Sequence, residues 1–158
     1  MSEQQFLALI SQHQGIIHKV CRLYRNSPED REDLFQEIIF QLWRSFPSFA
    51  GKSKITSWMY RVALNTALAS FRKNKPDIAY AAVLPDLPEE QPDDHQAIRK
   101  EKLFSVLREL DEVERAIIAL YFEDMSYAEI SSIIGISEKY VGVKLNRIKI
   151  KIQKLLTR

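Results

Sequence analysis

Three groups of side chains in this sequence have types and spacings that could do chemistry. Near the C-terminus, Lys139, Val143, Asn146, Arg147 and Ile150 share one side of a helical projection, with Lys144, Lys149 and Lys151 flanking the opposite stripe. Asn can pair bidentately with adenine and Arg with guanine, and Val can touch a thymine methyl, while flanking lysines suit phosphates. In the N-terminal half, Trp58, Arg61, Asn65 and Arg72 fall within an arc of about 60° at helical spacing. An aromatic ring, bases and an amide on one stripe suit unstacked nucleobases as well as phosphates. Taken alone, Trp58 fits a core position as well as a stacking platform. The third group, Asp33, Gln36, Glu37 and Gln41, is polar. Carboxylates one turn apart are compatible with metal or acid–base work, yet no histidine or further acid joins them at ligand spacing. A solvated or protein-binding face is the better reading.

Other chemistries find little to work with. Cys21 is the only cysteine, so no internal disulfide or multi-cysteine metal site can form, and a reducing cytoplasm fits best. His13 and His18 stand near it without ligand partners. The four glycines form neither GxGxxG nor GxxxxGK. No nucleophile–base pair is present. The sequence therefore predicts a protein that is not an enzyme and holds no metal or cofactor. No apolar run reaches the roughly 18 residues of a membrane span, and the first residues lack a secretory pattern.

The net charge of +2 hides a strong pattern. Between Ile38 and Pro76 there is no acid, and the bases are Arg44, Lys52, Lys54, Arg61, Arg72, Lys73 and Lys75. An acidic stretch follows, with Asp77, Asp86, Glu89, Glu90, Asp93 and Asp94. From Lys139 onward the chain is again basic and free of acids. Two basic blocks suit two contacts with one polyanion, or two solvated helix faces.

These groups must be positioned by helices, because no segment alternates with period two. Four of the six prolines cluster at Pro76, Pro85, Pro88 and Pro92. Proline removes a donor and fixes φ, so residues 75–95 read as an acidic, flexible linker. The fold class is all-α: helical domains over 1–74 and 96–158, the second containing a helix-turn-helix. The first domain predicts helices over about 3–26, with a bend at Gly15, over 28–46 behind the Ser27-Pro28 cap, and over 53–73. The core of the second of these is Leu34, Ile38, Leu42 and Phe46. The second domain predicts helices over about 94–110, from Asp111, from Ser126, and from Ser137. Glu114 and Glu129 stand at capping-box spacing from Asp111 and Ser126.

Ser126 to Ile152, SYAEISSIIGISEKYVGVKLNRIKIKI, pairs two capped helices across a turn at Gly135, the helix-turn-helix pattern. Ala128 is small where two helices would cross, Ile130, Ile133, Ile134 and Ile136 supply core, and Val141, Leu145, Ile148, Ile152 and Leu155 form the buried stripe. A helical hairpin that binds protein is the competing reading, which Ile150 on the outer face favours.

EDLFQEIIFQLWRSF, then TSWMYRVALNTALASFRK, then the capped helix-turn-helix resemble, in order and spacing, an extracytoplasmic-function sigma factor of bacterial RNA polymerase, a branch of the sigma-70 family. The resemblance covers nearly the whole chain. It implies two helical domains, called regions 2 and 4. Region 2 would bind the polymerase clamp and melt the −10 promoter element, and region 4 would read the −35 element. Carried over, Asp33, Gln36 and Glu37 match the clamp-binding D-x-x-Q-E pattern. The loop 47–54, with Lys52 and Lys54, matches the segment that captures a flipped-out base. Trp58, Arg61, Asn65 and Arg72 match the −10 helix. Ser137, Lys139, Tyr140, Val143, Lys144, Asn146 and Arg147 match the −35 helix. Two positions depart from the family: Ala69 replaces a common Asp, and Tyr140-Val141-Gly142-Val143-Lys144-Leu145 stands where T-V-K-S-R-L is frequent. The resemblance implies core RNA polymerase and promoter DNA as partners, no membrane insertion, a cytoplasmic place of action, and room for an anti-sigma factor. A free-standing helix-turn-helix regulator and a helical protein–protein adaptor are the alternatives.

Overall fold

The computed structural model describes residues 3–49, 51, 54–72 and 94–157. Lys52, the side chain of Arg72 and residues 75–93 of the proposed linker lie outside the described residues. The chain divides into two compact units, Met1–Glu90 and Gln91–Arg158. Among the described residues every regular element is helical.

The first unit packs three helices against one another: α1 (Glu3–Tyr24), α2 (Pro28–Ser45) and α3 (Ile55–Arg72). The Ser27 hydroxyl accepts from the Asp30 amide at 3.1 Å and Pro28 opens α2, so the cap forms as its local chemistry dictates. Leu34, Ile38 and Leu42 are fully buried, joined by Ile39, which the sequence reading left out of the core. Each such side chain contributes about 1.5–3 kcal/mol by burial. α3 buries Met59, Tyr60, Ala63, Leu64 and Ala67 against α1 and α2. These positions span about 140° of its circumference and leave Arg61 and Asn65 on the other side.

The bend in α1 falls at His13 (φ −122°, ψ 18°), two residues before Gly15. A glycine weakens a helix, but packing chooses where it opens. Phe6 and Ile10 before the bend, and Ile17, Val20, Cys21, Leu23 and Tyr24 after it, are all buried. At the far end, the Arg25 guanidinium donates to Ser70 Oγ at 2.5 Å, tying the α1–α2 corner to the last turn of α3.

The second unit contains α4 (Asp94–Leu107), α5 (Glu112–Phe122), α6 (Tyr127–Ile134) and α7 (Glu138–Leu156). α4 stops at Leu107, short of the expected Leu110, and Leu110 is buried beyond it. Arg115 closes this turn by donating to the carbonyls of Arg108 (2.7 Å) and Leu110 (2.9 Å). The capping boxes form at Asp111/Glu114 and Ser126/Glu129, and Gly135 ends α6 with φ 87°, a left-handed conformation that favours glycine. Val141, Leu145 and Ile148 of α7 are buried, while Ile152 and Leu155 are only half-buried. Ile130 and Ile133 enter the core, whereas Ile134 and Ile136 stay half-buried.

Candidate nucleic-acid interface

The end of α7 that follows the turn is built by its cap. Ser137 Oγ accepts from the Tyr140 amide at 3.1 Å, which fixes the first turn of the helix. Ser131 Oγ donates to the Ile136 carbonyl, anchoring the turn to α6. Behind that cap, Lys139, Tyr140, Val143, Asn146, Arg147 and Ile150 are all exposed. The Lys144 ammonium lies 5.7 Å from the centre of the Tyr140 ring. The outer face thus combines the basic, amide and small apolar groups that periodicity placed there with the Tyr140 ring that the resemblance added.

Two expectations for the second unit need refinement. Lys149 and Lys151 do not simply stand out toward a phosphate backbone. Lys149 Nζ hydrogen-bonds Tyr121 Oη at 3.0 Å and sits 4.3 Å from the ring centre. Lys151 Nζ pairs with Glu114 Oε2 at 2.7 Å. The hydrogen bond to Tyr121 raises the Lys149 ammonium above its ordinary range, and the hydrogen bond to Glu114 does the same for Lys151. Glu114 is buried, with 3% of its surface exposed, and its other oxygen accepts from the Asp111 amide at 3.2 Å. The sequence showed Glu114 as a capping residue only. Second, Ala128 is exposed and does not mark a close helix crossing. The close approach lies at Gly142, where an added Cβ would meet the Tyr127 ring at 3.3 Å.

In the first unit, Arg61 and Asn65 are exposed on α3, and Lys54 is exposed just before it. Trp58 is half-buried, and its two readings meet in one arrangement. Its ring stacks on Phe49 (4.9 Å, 30°) and leans on buried Phe46 (6.1 Å), while Phe46 in turn meets Phe6 edge-on at 5.3 Å. This aromatic row ties the short helical turn Phe46–Ser48 and Phe49 to the start of α3. Asp33 is exposed on α2, with Gln36 and Glu37 half-buried beside it. Two turns past Gln36 on the same side lies Trp43, 43% exposed, which sequence reasoning did not single out. A tryptophan on the polar side of α2 was the available signal, and its ring meets Phe6 edge-on at 5.0 Å.

Among the described residues no cluster of His, Cys, Asp and Glu could hold a metal ion, and no helix is long and apolar enough to cross a membrane.

Two family matches fall in order along the chain: Sigma-70 region 2 over residues 9–76 and Sigma-70, region 4 over residues 100–152. The chain belongs to the sigma-70 family. The region 2 match runs from within α1 to past the end of α3, and the region 4 match from within α4 to within α7. Among sigma-70 relatives, the ECF RNA polymerase sigma factor SigG of Mycobacterium tuberculosis is 25% identical over 161 residues, covering 84% of this chain and 44% of SigG. The chain thus spans less than half the length of that relative. The RNA polymerase sigma factor YlaC of Bacillus subtilis is 26% identical, with 82% of this chain and 79% of YlaC covered. The fold is shared with CnrH, solved in complex with the cytosolic domain of CnrY (TM-score 0.71, 20% identity, 99% of this chain and 90% of that chain). It is also shared with the sigma factor RpoE of Bartonella quintana, solved with the anti-sigma factor NepR (TM-score 0.68, 17% identity, 98% and 96%).

Proposed function

We propose that this sigma-70 family member is a transcription initiation factor that binds core RNA polymerase and directs it to promoters. The observation that carries this reading is the pairing of two sigma-70 segments, in order, with two separate exposed faces suited to nucleic acid. In this reading the polymerase supplies the chemistry, and the chain supplies promoter choice and strand separation.

The roles divide by face. Asp33, Gln36 and Glu37 on α2 engage the polymerase clamp, with exposed Trp43 extending that surface. Lys52, Lys54, Trp58, Arg61, Asn65 and Arg72 act at the −10 element, where bases leave the stack and meet aromatic and amide groups. Ser137, Lys139, Tyr140, Val143, Lys144, Asn146 and Arg147 face the −35 element in the major groove. Residues 1–74 and 96–158 serve as the two working domains and 75–95 as their tether. The chain acts in the cytoplasm, where polymerase and promoters are. An anti-sigma factor is proposed as a third partner, since RpoE, which shares the fold, is held by one.

The test is a pull-down of core polymerase by the tagged chain, followed by run-off transcription from genomic fragments. Co-purification and new specific start sites are expected. A free-standing regulator would bind duplex DNA without polymerase, and an adaptor would show no salt-sensitive DNA binding. Either result would replace this reading.

A further inference from the structure

We infer that Glu114 and Lys151, with Tyr121 and Lys149, are positioning residues that fix the roll of α7 about its own axis and so set which side chains meet base edges. This rests on the reading of α7 as the −35 helix.

The geometry is that of two stays. On α7, Lys149 lies about 100° to one side of buried Ile148 and Lys151 about 60° to the other. Both reach α5. Lys149 grips Tyr121 at 3.0 Å, and Lys151 grips Glu114 at 2.7 Å. Glu114 and Tyr121 are seven residues apart, two turns along nearly the same face of α5. A roll of α7 in either direction lengthens one stay. α7 also packs on α4 and α6 and buries Val141, Leu145 and Ile148, and the two stays are directional bonds that it makes to α5. The Glu114 end is itself anchored. Its carboxylate is buried and is held by the Asp111 amide as the N3 residue of the α5 capping box.

Roll matters to reading more than to affinity. Side-chain tips stand about 5–6 Å from the helix axis, so a 20° roll moves them by about 2 Å. That displacement breaks a hydrogen bond to a base edge. Attraction to a phosphate falls off gradually with distance and tolerates the same shift better. The two lysines thus act on sequence choice from the far side of the helix, without touching DNA.

The test uses the full chain bound to core polymerase and selects from duplexes randomised at the upstream element, at several salt concentrations. Lys151→Ala is expected to narrow the enrichment range between most and least preferred sequences by about threefold or more. Its salt slope should stay within about 0.3 of the unaltered chain, whereas a lost phosphate contact lowers it by about one. Lys149→Ala and Glu114→Gln should narrow the range likewise, and Lys151→Arg should restore it. Ile152→Val, which trims α7 without touching either stay, should keep the range. An unchanged range for Lys151→Ala, a slope lowered by about one, or equal narrowing by Ile152→Val overturns the inference. If the unaltered chain shows no upstream preference, the reading of α7 falls and this inference with it. If the unaltered chain discriminates and Lys151→Ala discriminates equally, the inference alone falls.

Discussion

The corner that leads into α3 and the corner that leads into α7 present their candidate DNA faces by different means. At the first, aromatic rings do the holding: Phe49 on Trp58, Trp58 on Phe46, Phe46 on Phe6. At the second, short polar caps do it: Ser126 and Glu129, Gly135, and Ser137 on the Tyr140 amide. The difference suits the two proposed tasks. A surface that receives unstacked bases gains from rings that stand partly in the open. A helix laid into a groove gains from a defined first turn, since its N-terminal residues approach the base edges.

The aromatic corner is most sensitive at Phe46. Phe46→Ala removes the ring on which both Phe6 and Trp58 rest, in a side chain that is nearly fully buried. A loss of about 3–4 kcal/mol from the first unit is expected. The two tryptophans, Trp43 and Trp58, both lie in that unit, so fluorescence during urea unfolding reports on it alone. A loss below about 1 kcal/mol would show that the aromatic row does not hold the corner.

The polar side of α2 belongs to neither device and sharpens the contrast. Asp33→Ala with Gln36→Ala should weaken polymerase binding about tenfold, which corresponds to about 1.4 kcal/mol. The free energy of unfolding should change by no more than about 0.5 kcal/mol, as for other surface changes. A binding titration beside circular dichroism decides, and unchanged affinity removes this face from the polymerase interface.

The smallest expected effect lies at the polar corner. Ser137→Ala deletes one cap hydrogen bond and should cost about 1 kcal/mol in the second unit. Far-UV circular dichroism should register it while tryptophan fluorescence does not. A cost equal to that of Phe46→Ala would erase the distinction between the two corners.

The same contrast explains what the sequence made legible. A cap is written within four residues, so Ser27-Pro28, Asp111/Glu114, Ser126/Glu129, Gly135 and Ser137 could be read directly, and with them most helix starts. The exposed faces of α3 and α7 followed from periodicity alone. Pairings distant in sequence could not be read that way. Lys151 meets Glu114 across 37 positions and Lys149 meets Tyr121 across 28, so neither partner was visible beside its lysine. The close approach of the Tyr127 ring to Gly142, 15 positions apart, is likewise a distant pairing. The bend at His13, rather than at Gly15, depends on how both halves of α1 are buried, which no local pattern encodes.

The proposed division of labour gives the two faces separate tasks, strand opening on α3 and sequence reading on α7. Permanganate footprinting of the polymerase complex on a normal duplex and on a pre-melted bubble tests it most directly. With Arg61→Ala and Asn65→Ala, thymine reactivity on the duplex should fall strongly, and the bubble should restore complex formation. With Arg147→Ala, melting of bound duplex should persist, while the preference among upstream-element variants relaxes by about 1–3 kcal/mol. Equal defects of the α3 variants on both templates, or an unchanged ranking of upstream variants with Arg147→Ala, would contradict the division of labour.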